Sequence, residues 1–556
     1  TAFNAASALA SAVTDARGNT VRYSYNTATR LQTAVTDAKG NTSQYTYYSA
    51  SGMLRLAAVT GSNYSTVDYS YDDYGKLTGI TRPQTAYSFT YDDWGRTIST
   101  SVGNRVLSTN TYDSFGRLSS VTYGNGYKLS YTYDSIDRVE SITELEMPGL
   151  SPSKVYEFVY DGEGNLYELR NYKTHRSTFF EYDHAGRCMA STEKSFTGSG
   201  SSIAYGTTVA AYNYKYDANN RLAKLTHTLA GYTWSTEYSY DADGRQSLVK
   251  LNNGKTIEYA YGTSTGRPDK ITLHLDTDYV VDWTYKSGAN GSATSLLSTY
   301  ANGSDAKYNY DYDVNGNITK IWRGNTSFTN ASEKYSYVYD SANQLVRENL
   351  YYGSGNSSNA TITYEYDIWG NLLNKKIYAY TVGTLGTARE TVPYAYTNSA
   401  WKDQLTSYDG ESITYDASGN PTNYLGATLV WEGQRLKSYT PKDASSGRAN
   451  SYVYSYDENG IRTRKTIGNT VTDYYYNGTL LMGTVKTTTN SDGSTTTSKL
   501  RFSYDADGKV VAVNYNGNYY YYLRNAQNDI VKLIDKTGAT VVEYAYLNSD
   551  LAAVEV

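Results

Sequence analysis

Along most of the chain, bulky aromatic or aliphatic side chains alternate singly with small polar ones, as in Ser88-Phe89-Thr90-Tyr91 and Tyr69-Ser-Tyr71. A period of two is that of a strand whose faces meet unlike surroundings. The runs end in a recurring turn. Between Tyr87 and Thr122 the text Tyr-Asp-x-x-Gly-Arg occurs twice, at Tyr91-Asp92…Gly95-Arg96 and, 21 residues on, at Tyr112-Asp113…Gly116-Arg117-Leu118. Asp suits the first position of a type I turn, because its carboxylate accepts hydrogen bonds from backbone N–H groups ahead of it. Gly three residues later supplies the positive φ that releases the chain into a return strand. The predicted unit is strand, turn, strand.

This unit repeats. Asp15-Ala-Arg-Gly-Asn and Asp37-Ala-Lys-Gly-Asn are early copies 22 residues apart. Tyr-Asp pairs then begin at Tyr71, Tyr91, Tyr112, Tyr133, Tyr160, Tyr182, Tyr216 and Tyr240, with worn copies at Tyr261 and Tyr285. Clear copies resume at Tyr312, Tyr339 and Tyr366, and wider-spaced ones follow at Tyr415, Tyr456 and Tyr504. Gly/Ser/Asn inserts at 198–202 and 353–359 read as loop tips. The start, Phe3 to Val13, fits a short helix or a worn strand. Unequal repeat lengths argue for one continuous sheet of uneven hairpins rather than a strict solenoid. The expected organisation is a single repeat body over 1–556, regular over 14–389 and thinner over 390–556.

Length supports this. The 556 residues far exceed the size, about 250–300 residues, at which one solid core stops growing. The 65 Tyr beside 9 Phe ask for flat side chains that carry a hydroxyl, as on a sheet with one wet face. Tyr at i and i+2, as in Tyr238-Ser-Tyr240, shares one face and is expected to stack on the Tyr of the next strand. Such ladders also suit sugar rings. A formal charge of -5 gives no electrostatic case for nucleic acid or an anionic membrane. The single cysteine, Cys188, excludes an internal disulfide framework. No apolar run of about 18 residues predicts a bilayer span. A chain beginning at Thr1 without a signal peptide reads as a fragment or a processed product, so the export route is open.

Several short matches to chemical motifs fall in repeat turns. Gly262-Thr-Ser264-Thr-Gly266 fits a nucleophile elbow, but that elbow needs a strand-to-helix turn and a His well downstream, and only His274 follows. Asp311-Tyr-Asp313-Val-Asn315-Gly316 fits half a calcium loop, yet Trp322 stands where the bidentate Glu belongs. Asp241, Asp243 and Gly244, and Asp505, Asp507 and Gly508, are similar turns. His274, Asp276 and Asp278 would share one face of a strand, with Leu273 and Leu275 on the other. His175, His184 and His227 show no metal-ligand spacing. Cys188 takes a leucine position and reads as a small buried apolar residue. Gly254-Lys-Thr256 lacks the earlier Gly of a phosphate loop. Asn41, Asn63 and Asn317 begin glycosylation sequons that composition alone produces. No catalytic, cofactor or metal residues are therefore assigned, and no cofactor.

The repeated Tyr-Asp-x-x-Gly-Arg-Leu text, as in Tyr71-Asp-Asp-Tyr-Gly-Lys-Leu77 and Tyr366-Asp-Ile-Trp-Gly-Asn-Leu372, resembles the YD or RHS repeat family over about 15–546. The segment from Tyr522 to Asp535 is similar to the text just before that family's C-terminal signature. The resemblance implies an all-β fold of tandem hairpins in a long sheet spiralling into a hollow shell. In bacterial toxins such shells enclose a C-terminal toxic domain; in teneurins a related shell sits on an adhesion receptor. The Arg-Tyr-Tyr-Asp-Pro signature does not follow Tyr546, so the family's self-cleaving residues are not carried over. The expected protein is a non-enzymatic scaffold, secreted or on a bacterial surface, whose partner is an enclosed effector or capping domain outside this chain. The alternative is an adhesion or structural module that binds glycans, a protein partner or itself.

Overall fold

The computed structural model describes residues 1–3, 9–50, 53–61, 65–263, 265–288, 291–303, 307–443 and 450–544. It is nearly all β. Among the described residues there are 47 strands and only short 3-10 turns, such as Gly200–Ser202 and Phe328–Asn330. The described residues at the N-terminus form strands, Ala2–Phe3 paired to Ala10–Thr14, and residues 4–8 of the stretch lie outside the described residues. Successive strands pair antiparallel, as Thr85–Tyr91, Thr97–Val102, Arg105–Tyr112, Leu118–Tyr123, Lys128–Tyr133 and Val139–Leu145 do in turn. One sheet of 35 strands ends at Glu411–Ser412, and a second of 12 begins at Asn423–Tyr424.

Each Tyr-Asp hairpin contains a feature that alternation does not reveal. Thr111 faces Ser120 while Tyr112 faces Leu118, so Ser119 is an extra residue opposite the turn. The same slip isolates Ile98, Glu140, Ser247 and Val511. This is a β-bulge, which interrupts the ladder and sharpens the local twist. The Gly slot of the turn has positive φ, as at Gly95 (76°) and Gly116 (87°). Where Gly is missing, Asp137, Asn220, Asn343 and Asn528 take the left-handed conformation instead, at φ between 60° and 71°. Asn and Asp tolerate it best among residues with a side chain.

Two compact units result. The first comprises Thr1–Ser153, Thr284–Thr299 and Ala306–Ser451. Inside it, early and late hairpins are joined by polar contacts. Arg17 donates to the Asp313 carbonyl at 2.8 Å, Asn315 to Asp37 at 2.6 Å, and Lys39 pairs with Asp313 at 2.8 Å. Asn125 donates to Asp416 and to the Gly433 carbonyl, and Arg105 to the Asp416 carbonyl. The second unit comprises Lys154–Trp283, Tyr300–Asp305 and Tyr452–Val556. It holds a contiguous apolar core in which Leu225, Leu229, Trp234, Val249 and Leu251 pack with Met482, Ala512, Tyr521 and Leu523.

Candidate functional site

The repeated turn is the one constellation of chemically distinctive residues that recurs with fixed geometry. In the Asp113 turn, one carboxylate oxygen accepts the backbone N–H groups of Phe115 and Arg117, both at 2.9 Å, and the other accepts Arg117 Nε at 2.7 Å. The Asp92 turn is the same, with Arg96 Nε at 2.6 Å. Partial burial pushes these carboxyls upward, but the backbone N–H groups and the guanidinium together outweigh it and hold Asp92, Asp113 and Asp134 below the ordinary value. The fixed arginine then covers the tyrosine of the next hairpin. Arg96 lies 4.3 Å from the Tyr112 ring centre, Arg117 4.5 Å from Tyr133, and Arg221 4.3 Å from Tyr240.

That tyrosine reaches back with its hydroxyl. Tyr112 donates to the Thr97 carbonyl, Tyr133 to Leu118, Tyr240 to Leu222 and Tyr261 to Gln246, each at 2.8 Å. The acceptor is always the residue just before the bulge, where the ladder is broken and a backbone carbonyl needs another donor. Phe could fill the ring position but could not close this bond. The excess of Tyr over Phe thus has a local cause. The expected Tyr-on-Tyr contact occurs in places, as between the cross-strand partners Tyr394 and Tyr408 at 5.2 Å, but at the repeated turns guanidinium–ring and hydroxyl–carbonyl contacts link one hairpin to the next.

The other predicted candidates are absorbed by the fold or regrouped. Gly262 and Gly266 close a strand-to-strand turn, with Gly266 N–H on the Gly262 carbonyl at 2.8 Å, so no elbow forms there; Ser264 lies outside the described residues. Asp313 accepts from the backbone of Asn315 and Asn317 and from the Asn317 amide, and Asp311 takes Lys286 at 2.9 Å. Asp241 binds Arg245 like any other turn, and Asp243 joins the same guanidinium at 2.8 Å. Asn41 and Asn317 occupy the arginine position and spend their side-chain N–H on Asp37 and Asp313; Asn63 lies outside the described residues. Lys255 sits in the tight turn that Gly254 closes on Leu251. Among the described residues no group of three or more His, Cys, Asp or Glu is arranged to hold a metal ion.

The His274 trio is not on one strand face. The strand Pro268–His274 ends at the histidine, and Asp276 and Asp278 lie in the connection beyond it. His274 contacts Asp278 at 3.0 Å and Glu258 of the neighbouring strand at 3.2 Å, while Asp276 turns to Lys255 at 2.7 Å. Asp278 above all, with Glu258, raises the His274 pKa. Glu258 escaped the sequence reading because its approach depends on strand register. Cys188 is half-buried rather than enclosed, and burial pushes its thiol pKa up. His227 is the buried one of the four histidines. It stacks on Trp234 at 4.9 Å, and desolvation takes its pKa down to about 3. Asp505 departs from Asp92, Asp113 and Asp134: burial beside Tyr259 raises its carboxyl, where theirs are lowered.

Sequence reasoning also missed the second x of the motif. At this tip position stand Tyr74, Trp94, Phe115 and Ile136 in four successive hairpins, all strongly exposed. Their signal is an apolar residue where neither alternation nor turn chemistry requires one.

Comparison with known proteins agrees with this construction. Residues 83–171 match the Teneurin YD-shell family, and residues 4–42 match the RHS Repeat family. The tRNA3(Ser)-specific nuclease WapA of Bacillus spizizenii is 28% identical over 285 residues, 44% of this chain and 11% of that protein. The tRNA(Glu)-specific nuclease WapA of Bacillus subtilis subsp. natto is 34% identical over 145 residues, 26% of this chain and 6% of that protein. The chain therefore spans about a tenth or less of the length of these relatives. Among solved structures, TcdB2-TccC3-Cdc42 covers 96% of this chain at a TM-score of 0.64 and 15% identity, with 30% of its own length matched. The Photorhabdus luminescens Tc holotoxin pore covers 96% at 0.63 and 16%, with 29% of its length matched. No helix among the described residues is long and apolar enough to cross a membrane. Two segments of the chain thus match repeat families, the Teneurin YD-shell and the RHS Repeat, and nearly its whole length shares the all-β fold of Tc toxin chains.

Proposed function

We propose that this chain is the wall of a protein container: a non-enzymatic segment of a secreted or cell-surface bacterial YD/RHS protein that encloses a C-terminal effector until delivery. The observation that supports it most is the fold shared with Tc toxin chains over 96% of the sequence, a fold that serves as a structural scaffold. The relatives named as tRNA nucleases are about ten times the length matched here, which fits a wall segment within a larger toxin. The local chemistry points the same way. The turn carboxylates hold the arginines, the arginines cover tyrosine rings and the tyrosine hydroxyls bond backbone carbonyls, an arrangement that stiffens a sheet and leaves these groups unavailable for acid–base or nucleophilic work.

The test uses the complete gene product that contains this chain, compared with the chain alone. Limited proteolysis should spare an effector segment in the complete protein and degrade the same segment once it is separated from the repeats. Electron microscopy should find density inside the repeat body. The chain alone should leave tRNA intact. An effector cleaved equally fast with and without the repeats would remove the containment reading, and tRNA cleavage by the chain alone would remove the non-enzymatic one.

A further inference from the structure

The core of the second unit encloses a cation that has no counter-ion among the described residues. Arg501 is 7% exposed. The ionisable groups that face it are Tyr232 and Tyr519, phenols rather than carboxylates. The Tyr232 ring centre lies 4.4 Å from the guanidinium carbon and that of Trp234 6.0 Å. Aromatic faces soften the cost of burying a charge but do not neutralise it. Burial accordingly lowers the pKa of this guanidinium.

The polar atoms around it are donors. Arg501, on the strand Thr495–Tyr504, stands directly opposite Asn514 on Val510–Tyr515. Opposite residues share a face, so strand register sets the guanidinium beside the amide. The two hold each other loosely, with Arg501 Nη1 3.5 Å from Asn514 Oδ1, against about 2.9 Å for an ordinary N–H···O bond. The same oxygen accepts the Gly517 N–H at 3.3 Å, so the amide of Asn514 uses its acceptor and not its donor. Arg501 Nε, Asn514 Nδ2 and Trp234 Nε1 are all buried with no hydrogen-bond partner among the described residues. Buried polar groups nearly always have one. A set made only of donors, one of them cationic, calls for an acceptor that carries negative charge. Water would meet the donors and leave the charge uncompensated.

Enclosure then fixes the size and charge of that acceptor. Asn514 and Trp234 are each 1% exposed. On its other flank Arg501 faces Gly483, where a Cβ would come within 2.5 Å of Leu229. A polymer or a peptide carboxylate has no approach to so closed a point. A divalent oxyanion would exchange one unpaired positive charge for one unpaired negative charge. We infer that Arg501, Asn514 and Trp234 form a buried binding site for a single monovalent halide, chloride, in the core of the second unit. The ion completes a neutral pair with the guanidinium and accepts from the unpartnered N–H groups. It also joins distant parts of the sequence, because Trp234 comes from the strand Tyr232–Tyr240 and the other two from 495–515. Halide binding therefore stabilises the packing of early strands on late ones. This inference does not depend on what the protein encloses.

The test is amide hydrogen exchange on the full chain, dialysed into gluconate and then titrated with chloride at constant ionic strength. An ion held only by the closed form makes opening rarer by the factor 1 + [Cl⁻]/Kd, so amides of 232–240 and 510–515 should exchange about tenfold more slowly at chloride ten times the Kd. Bromide should replace chloride, and amides of 118–123 in the other unit should not respond. Anomalous scattering from bromide-soaked crystals should place a peak beside Arg501 and Asn514. Arg501→Met removes the cation and should make exchange independent of halide. Asn514→Asp sets a carboxylate of the same shape next to the guanidinium, and should give in gluconate the protection that chloride gives the unaltered chain. Equal exchange in chloride and gluconate, no bromide peak beside Arg501, or full chloride dependence in either variant would each overturn the assignment, the first two leaving ordered water as the partner of these donors.

Discussion

The tyrosine hydroxyl makes a quantitative claim that one substitution tests. Tyr133→Phe keeps the ring beneath Arg117, at 4.5 Å, and removes only the bond to the Leu118 carbonyl, at 2.8 Å. A net hydrogen bond contributes about 1 kcal/mol, and a partly buried carbonyl left without a donor adds up to about 1 more. The expected loss is therefore roughly 1–2 kcal/mol, confined to the hairpin formed by Arg105–Tyr112 and Leu118–Tyr123. Global unfolding is a poor readout in a chain of this length with two compact units, where two-state behaviour does not hold. Amide hydrogen exchange reads the local opening directly. Backbone amides of 118–123 should exchange about five- to thirtyfold faster in Tyr133→Phe, while amides of 165–171 stay unchanged. Tyr74→Phe, whose ring is 84% exposed, serves as the control and should change nothing. Exchange in 118–123 that is indistinguishable between Tyr133→Phe and Tyr74→Phe would refute the reasoning, since the hydroxyl would then play no part in joining hairpins.

The remaining predictions concern charge. Asp113→Asn should loosen its hairpin measurably at pH 7, by exchange of 115–118, because it removes one of the two ionic partners of Arg117, the other being Asp137, whereas Asp505→Asn should be neutral or stabilising, because Asp505 is ionised against burial. The turn carboxyls that are held low contribute stability that is present above their ordinary value of 3.8 and lost as pH falls through their lowered folded values, so acid titration followed by exchange should open Asp92, Asp113 and Asp217 turns together below about pH 4. His274 has the opposite sign: its raised pKa gives a contribution complete below 6.5 and lost as pH rises through the raised value, and His274→Asn should flatten the pH dependence of opening in 275–279. Being an exposed cluster, its contribution should stay under about 1 kcal/mol. Cys188, with its thiol pushed up by burial, should alkylate more slowly at pH 7.5 than an unstructured cysteine peptide, measured by mass spectrometry.

Much of the fold was legible because the information is local. Alternation, the Asp at the start of each turn and the Gly or Asn of positive φ lie within a few residues, and the structure places them as that grammar implies. What was not legible depends on register between strands. The bulge at Ser119 inserts one residue without disturbing the visible period, since Ser, Thr and Leu around it fit either face. The role of the tyrosine hydroxyl follows from that bulge, and the partner is 15 residues back, Tyr133 on Leu118. Glu258 beside His274 is likewise set by strand pairing, 16 residues away.

The same distinction explains why one motif yields two kinds of position. Tyr, Asp, Gly and Arg each touch a neighbouring turn or close their own, so changing one disturbs contacts that recur along the sheet. The turn uses only the backbone N–H of the second x, not its side chain, which is why Tyr74, Glu163, Ala185 and Asp243 can all stand there. Residues constrained by contact report on the fold, and a residue free of that constraint is where a surface property can vary from one hairpin to the next. Asp505 shows the limit of the rule. It has the sequence of an ordinary turn, and its backbone bonds to Asp507 and Lys509 are ordinary. Yet its neighbours Gln246 and Tyr259 come from strands about 250 residues earlier in the same unit. Packing from that distance removes water, reverses the direction of its pKa, and makes an identical motif a strained carboxylate rather than a stabilising one.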